Sequence, residues 1–213
     1  MEENRIYSKM FTWMFVGLMI TFLAGYCLSL NQVLLYNILS IGIIPIIIIE
    51  LAVALIMGFG IKKMNPLTTK ICYIIYCVVT GITFSTIFLA YEMGSIMLIF
   101  LITSIMFGIM AAIGYKTKMD LTKFSTLLFV ALLSIIIVSI INIFIGSSSL
   151  EIVLCIVGII VFLGYTAYDM NTVKQLVMTI GEDKAAVYGA FQLYLDFINL
   201  FIRLLELFGK SDD

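Results

Sequence analysis

Long apolar stretches separated by short polar breaks run along the whole chain. Each is close to the roughly 20 residues that an α-helix needs to cross a hydrocarbon core about 30 Å thick. The stretches are 10–30, 33–61, 71–91, 95–115, 124–145, 150–169 (alternatively extended towards 174) and 188–208. This pattern predicts seven transmembrane segments, numbered one to seven, in an all-α membrane bundle. The predicted transmembrane domain, 10–208, is flanked by a short N-terminal segment, 1–9, and a C-terminal tail, 209–213.

The composition supports a membrane protein. The chain of 213 residues is 63% hydrophobic and 12% charged, whereas soluble domains carry roughly 25% charged residues. The net charge of −1 gives no reason to expect a nucleic-acid partner. Segment one follows Arg5 and Lys9 but is too long for the apolar core of a signal peptide, which has about 7–15 residues. We therefore expect it to be retained, with the lipid bilayer as the main surroundings of the chain.

The positive charges predict the orientation. Ten of the twelve Lys and Arg residues fall before segment one or in alternate loops, and the other loops carry none. Cytoplasmic loops are enriched in Lys and Arg. We therefore expect a multi-pass protein of the bacterial inner (plasma) membrane with a cytoplasmic N-terminus. Seven full spans place the tail outside, whereas a re-entrant segment seven returns it to the cytoplasm.

Three acids qualify as candidate charges within the membrane, Glu50, Asp169 and Asp196, whereas Glu92 and Glu151 lie at helix ends near the outer interface. A charge near the bilayer centre costs at least about 2.5–3.5 kcal/mol, so each position is a functional hypothesis. Glu50 lies near mid-membrane, where it either attracts cations or is a neutral core acid. Both interpretations stay open.

Segment seven carries a polar stripe. Its spacing of 4, 3, 4 and 3 residues places every member on one helical face: Gln192, Asp196, Asn199, Arg203 and Glu206. This face should line the bundle interior or a water-filled path, and a packed hydrogen-bond network without a path is the alternative. Arg203 is also placed to pair with Glu206 one turn further on.

The two aspartates reach a similar depth if segment six continues beyond Lys174. Otherwise, Asp169 caps a loop in water. Two unit charges about 4 Å apart repel by roughly 4 kcal/mol at an effective dielectric near 20. A close pair would therefore share one proton at mildly acidic pH and release it near neutrality. The chain contains no histidine, so this pair is the main candidate for a pH response. Proton loss would also favour a hard cation such as Ca²⁺.

Two further patterns predict packing. Ser104, Gly108 and Ala112 form a ridge of small residues, which is typical of close helix contacts. Gly42 and Pro45 predict a kink in segment two. The four cysteines lie in apolar stretches without a CxxC pattern and are expected to be free thiols.

Three motifs resemble the transmembrane Bax-inhibitor-motif family: LYLDFINLFIRLLELFG at 193–209, GYKTKMDLTKF at 114–124 and YDM at 168–170. The resemblance implies a seven-helix bundle with the last helix at the centre. It also implies a calcium leak in which Asp169 and Asp196 form a pH-sensing pair. A basic latch expected at the end of segment two falls on Ile61, with Lys62 adjacent. Either Lys62 replaces this basic latch imperfectly, or the gating of this protein differs from that of the family.

The leading hypothesis is a pH-sensitive calcium leak channel rather than an enzyme. Asp169 and Asp196 would sense protons and contact Ca²⁺ transiently as the permeant ion, without a cofactor. Further pore-lining or gating candidates are Glu50, Lys62, Gln192, Asn199 and Arg203. One alternative is a non-conducting regulator that binds an unidentified protein partner. The other, an intramembrane aspartyl protease, is disfavoured because LYLD lacks the glycine of a GxGD motif.

Overall fold

The computed structural model describes residues 2–40 and 42–211, and at positions 2–4, 32, 39 and 43 it describes the backbone alone. Met1 and the last two positions of the predicted tail lie outside the described residues. Within this part of the chain, eight α-helices follow one another: α1 (Glu2–Leu30), α2 (Gln32–Ser40), α3 (Ile43–Gly60), α4 (Pro66–Ala90), α5 (Met93–Lys116), α6 (Ser125–Ile145), α7 (Ser148–Ile180) and α8 (Glu182–Phe208). A 3-10 turn, Leu121–Phe124, precedes α6.

The helices confirm the all-α membrane fold. Six are long and apolar enough to cross a membrane, and a shorter apolar helix spans Ile44–Gly60. Segment two is divided into α2 and α3, so the predicted kink is a break. Gly42 precedes α3 with φ 94°, a conformation open to glycine but strained for other residues. Pro45 lies in the first turn of α3, where proline is tolerated.

The chain forms two compact units that both include part of α8. The first comprises Met1–Glu92, Gln175–Tyr194 and Ser211–Asp213, and the second comprises Met93–Lys174 and Leu195–Lys210. Within an apolar stretch of 18 residues, 72% of α8 is buried, against 39% or less of the corresponding stretch in the other five long helices. The last helix is therefore the most enclosed, as the resemblance implied.

In the first unit, α1 packs closely against α4 and α4 contacts the first half of α8. A Cβ atom on Gly25 would lie 2.8 Å from the carbonyl oxygen of Gly81, so the two backbones nearly touch. Thr21 donates a hydrogen bond to the carbonyl of Cys77 (2.9 Å), and its hydroxyl also bonds to that of Tyr194 (2.5 Å). The buried hydroxyl groups of Thr21 and Tyr194 are thereby paired within the unit.

Charged residues gather at one end of the first unit. Glu182, the first residue of α8, accepts from Arg5 (3.1 Å) and Lys9 (2.7 Å) of α1. Lys184 Nζ donates to the carbonyl oxygens of Ile61 (3.3 Å) and Met64 (3.2 Å) after α3. Three basic residues that the sequence assigned to one side therefore lie around the start of α8 in this unit: Arg5, Lys9 and Lys184.

In the second unit, α5 contacts α7 through Gly114. A Cβ atom there would lie 2.2 Å from the carbonyl oxygen of Ala167. The small-residue ridge predicted on α5 is wrong, because Gly108 and Ala112 are exposed and nothing lies within 4 Å of a Cβ atom on Gly108. The close contact uses the neighbouring face, on which Ala111 and Gly114 are buried.

The end of α8 lies beside the turn between α4 and α5. The backbone N–H of Lys210 donates to Ser95 Oγ at 3.0 Å within the second unit. Within the first, Ser211 forms an isolated antiparallel bridge with Tyr91. Since α8 is one continuous helix that ends beside a loop free of Lys and Arg, the structure favours a full span, and the re-entrant alternative stays a prediction to be tested.

Candidate functional site: a buried aspartate pair

The length of α7 places Asp169 inside the helix rather than in a loop. Since α7 continues to Ile180, eleven residues, or about 16 Å, separate Asp169 from its end. Asp196 lies fourteen residues, or about 21 Å, from the start of α8. Only Gly181 joins the two helices. Because Asp169 and Asp196 lie close together on either side of this joint, the two helices are antiparallel. The structure therefore adopts the longer form of segment six, and Asp169 does not cap a loop.

The side-chain carboxyl groups of Asp169 and Asp196 lie close enough to hydrogen-bond with each other. The exposed fraction is 7% for Asp169 and 4% for Asp196. A carboxylate oxygen only accepts hydrogen bonds, so this contact requires one of the two groups to carry a proton. Asp196 Oδ2 is buried and has no hydrogen-bond partner among the described residues. The structure thus places two acids side by side where both are almost fully buried.

Hydroxyl groups of α7 surround the pair. Thr166 is fully buried, lies within hydrogen-bonding reach of Asp196 and donates to the carbonyl of Phe162 at 2.8 Å. Tyr165 lies close enough to both acids for an electrostatic interaction with each of them. Hydroxyl groups at these positions can orient the carboxyl pair through hydrogen bonds.

The motif GYKTKMDLTKF at 114–124 contacts α7 next to the aspartate pair. Asn171, two residues after Asp169, accepts from the backbone N–H of Leu121 (3.1 Å) and donates to the carbonyl of Gly114 (3.4 Å). Gly114 begins the GYKTKMDLTKF motif and contacts the α7 backbone at Ala167. This motif therefore holds the part of α7 that carries Asp169.

The rest of the α8 stripe is occupied by local bonds. Asn199 Nδ2 donates to the carbonyl of Leu195 one turn earlier (2.8 Å). Arg203 forms the expected ion pair with Glu206 at 2.8 Å. Cys155 Sγ donates to the same glutamate oxygen at 3.2 Å. Sequence reasoning missed Cys155, since a cysteine in an apolar stretch gives no signal of its partner.

The other candidates, Glu50, Lys62 and Gln192, belong to the first unit. Glu50 Oε1 accepts from the Thr83 hydroxyl at 3.1 Å, so it is a hydrogen-bonded acid within the α3–α4 contact. Lys62 is exposed, and its carbonyl accepts a long hydrogen bond from Lys184 (3.5 Å). Gln192 is half-buried. Hydroxyl-bearing side chains occur on α4 at helical spacing and indicate a polar face that includes the Glu50 partner: Tyr73, Tyr76, Thr80 and Thr83. Nothing in the sequence indicates Lys184.

The described residues contain no group of three or more His, Cys, Asp or Glu side chains that is arranged to hold a metal ion. Calcium normally takes six to eight oxygen ligands. Two carboxyl groups supply at most four, so the pair suits passing contact with a cation rather than tight binding.

Comparisons with known proteins agree with the motifs. The model of the family described as "Inhibitor of apoptosis-promoting Bax1" matches residues 3–213. The inner membrane protein YbhL of Escherichia coli K12 is 37% identical over 213 residues, covering 95% of this chain and 90% of its own length. A protein of Borreliella burgdorferi is 34% identical and covers 98% and 93%. A membrane protein of Streptococcus pyogenes is 37% identical and covers 78% and 73%.

Proposed function

The chain belongs to the Bax1-inhibitor family of membrane proteins, and from this premise we propose that it is a pH-sensitive calcium leak channel controlled by the aspartate pair. The observation that carries the proposal is the close approach of two buried acids, Asp169 and Asp196, inside long apolar helices. Buried acids at such depth are costly and are commonly functional in membrane proteins. The N-terminus is cytoplasmic in this proposal, in keeping with the distribution of Lys and Arg.

Proton loss is the switching step. While one proton is present, the two carboxyl groups attract each other and hold α7 against α8 in the second unit. As the pH rises and that proton leaves, two negative charges in contact repel, and the contact weakens. Once the contact has weakened, the two carboxylates offer oxygen ligands to Ca²⁺, which favours such ligands. The α7–α8 contact is thus stabilised below the titration of the pair and destabilised above it.

Calcium flux into dye-loaded liposomes between pH 5 and pH 8 tests the proposal. We expect the flux of the wild-type protein to change across this range. We expect D169N and D196N each to abolish the change, because asparagine keeps the shape and a hydrogen bond but does not titrate there.

Asp120 provides a matched control in a loop. Hydrogen bonds from the hydroxyl and backbone N–H of Thr122 hold the pKa of Asp120 below its usual range, so this group stays ionised from pH 5 to 8. D120N should therefore keep the wild-type pH profile. Liposomes that stay calcium-tight at every pH would contradict the channel and favour a regulator. An unchanged profile in D196N would contradict the role of the pair.

A further inference from the structure

A second charged cluster lies on the face of α8 that carries Asp196. Arg203 Nη1 and Glu206 Oε2 form an ion pair at 2.8 Å, and Cys155 of α7 donates to that same oxygen at 3.2 Å. The side chains of Arg203 and Glu206 are 23% and 31% exposed. The cluster is thus held by protein contacts and stays partly exposed in the structure.

The Arg203 side chain lies across the backbone of α7. A Cβ atom on Gly158 would lie 3.3 Å from Cγ and 3.5 Å from Nε of Arg203, so the absence of a side chain at this glycine makes room for the arginine. Cys155, Gly158 and Asp169 share one face of α7, because eleven residues make about three helical turns. The cluster and the aspartate pair therefore lie along the same α7–α8 contact.

The distance between the two sites sets the size of their electrostatic effect. Seven residues separate Asp196 from Arg203, which is two helical turns or about 10 Å. A lone positive charge at that distance opposes a cation at the aspartate pair, and the opposition doubles for a divalent ion because the Coulomb energy scales with charge. While Glu206 is paired with Arg203, most of this opposition is cancelled.

We propose that the Arg203–Glu206 pair determines cation selectivity in this protein, with Glu206 cancelling the arginine charge and so admitting divalent ions. This role rests on the proposed channel activity and deepens it. The substrate class at stake is the divalent cation, as opposed to monovalent cations, which a lone arginine opposes only half as strongly.

The test compares calcium and potassium flux in liposomes for E206Q and R203Q. At an effective dielectric near 20, an unpaired arginine about 10 Å away slows a monovalent cation by about tenfold and Ca²⁺ by about a hundredfold. We therefore expect E206Q to lower the calcium-to-potassium flux ratio about tenfold. R203Q leaves Glu206 unpaired and should raise that ratio. The double variant R203Q/E206Q should return it to near the wild-type value.

D120N is the control, because it removes a charge from the loop before α6 and leaves Cys155, Arg203 and Glu206 untouched, and its flux ratio should stay within about twofold of wild type. Equal loss of both fluxes in E206Q would indicate a structural role and overturn the proposal, as would an unchanged ratio. If E206Q does not fold, R203Q carries the test through its opposite sign. A wild-type protein without any flux would instead contradict the channel itself.

Discussion

The contact between Asp169 and Asp196 illustrates how one proton can determine the properties of a buried site. A buried polar atom without a partner costs about 1–3 kcal/mol, and Asp196 Oδ2 is such an atom among the described residues. A packed apolar pair would avoid that cost. At the scale of the residue, this arrangement favours a role in proton or cation binding over a purely structural one.

Gly114 is the residue at which packing is tightest beside that pair. G114A places a methyl group about 2.2 Å from the Ala167 carbonyl oxygen, and the backbone of α5 or α7 must shift. We expect a loss of about 1–3 kcal/mol in the free energy of unfolding, as for other overpacked sites. Denaturation of the purified protein in detergent measures it.

G108A on the same helix is the control for that substitution. Nothing lies within 4 Å of a Cβ atom at Gly108, and alanine is up to about 1 kcal/mol more favourable than glycine inside a helix. Its stability should therefore equal or exceed that of the wild type. Equal destabilisation by both substitutions would contradict a specific contact at Gly114.

At the scale of the element, a lysine from α8 meets carbonyl groups in the turn that directly follows α3. Helix C-termini leave four carbonyl groups without intrahelical partners and carry a partial negative charge. Lys184 supplies the positive charge and donates to Ile61 and Met64. The start of α8 is thus tied to the end of α3 by a side chain that neither helix's periodicity reveals.

K184M removes this tie while keeping a long side chain. We expect faster hydrogen exchange in the last turn of α3 and a loss of about 1 kcal/mol, which is typical of a cation at a helix C-terminus. K62M is the control, because the Lys62 side chain is exposed and its carbonyl would be retained. Equal exchange in K184M and the wild type would show that the contact contributes nothing.

At the scale of the whole molecule, loops with and without Lys or Arg alternate along the chain. Within the first unit, positions near Arg5 and Lys9 meet the start of α8. The far end of α8 reaches the turn that contains Tyr91 and Ser95. With a cytoplasmic N-terminus, this arrangement places the tail on the outer face of the membrane.

Epitope tags test that topology in intact cells. A tag inserted after Ser211 should be accessible to antibody from outside. A tag in the loop at 117–119, beside Lys116, should become accessible only after permeabilisation. The reverse pattern would contradict the predicted orientation, and protection of both tags would contradict the position of the tail.

The sequence alone determined the membrane class, the helical segments and the family, because each depends on local composition, spacing or motif, whereas the sidedness of the loops stays a prediction. It also indicated the α8 stripe, since polar residues on an apolar helix stand out at helical spacing. The latch expected at Lys62 and the roles of Glu50 and Gln192 stay predictions.

Only the tertiary structure decided that Asp169 meets Asp196, that α5 uses Gly114 rather than Gly108, and that Lys184 caps α3. In a membrane bundle, both the lipid-facing and the core-facing positions are apolar, so hydropathy does not reveal how each helix is rotated about its axis. That rotation depends on steric fit and hydrogen bonds between residues distant in sequence.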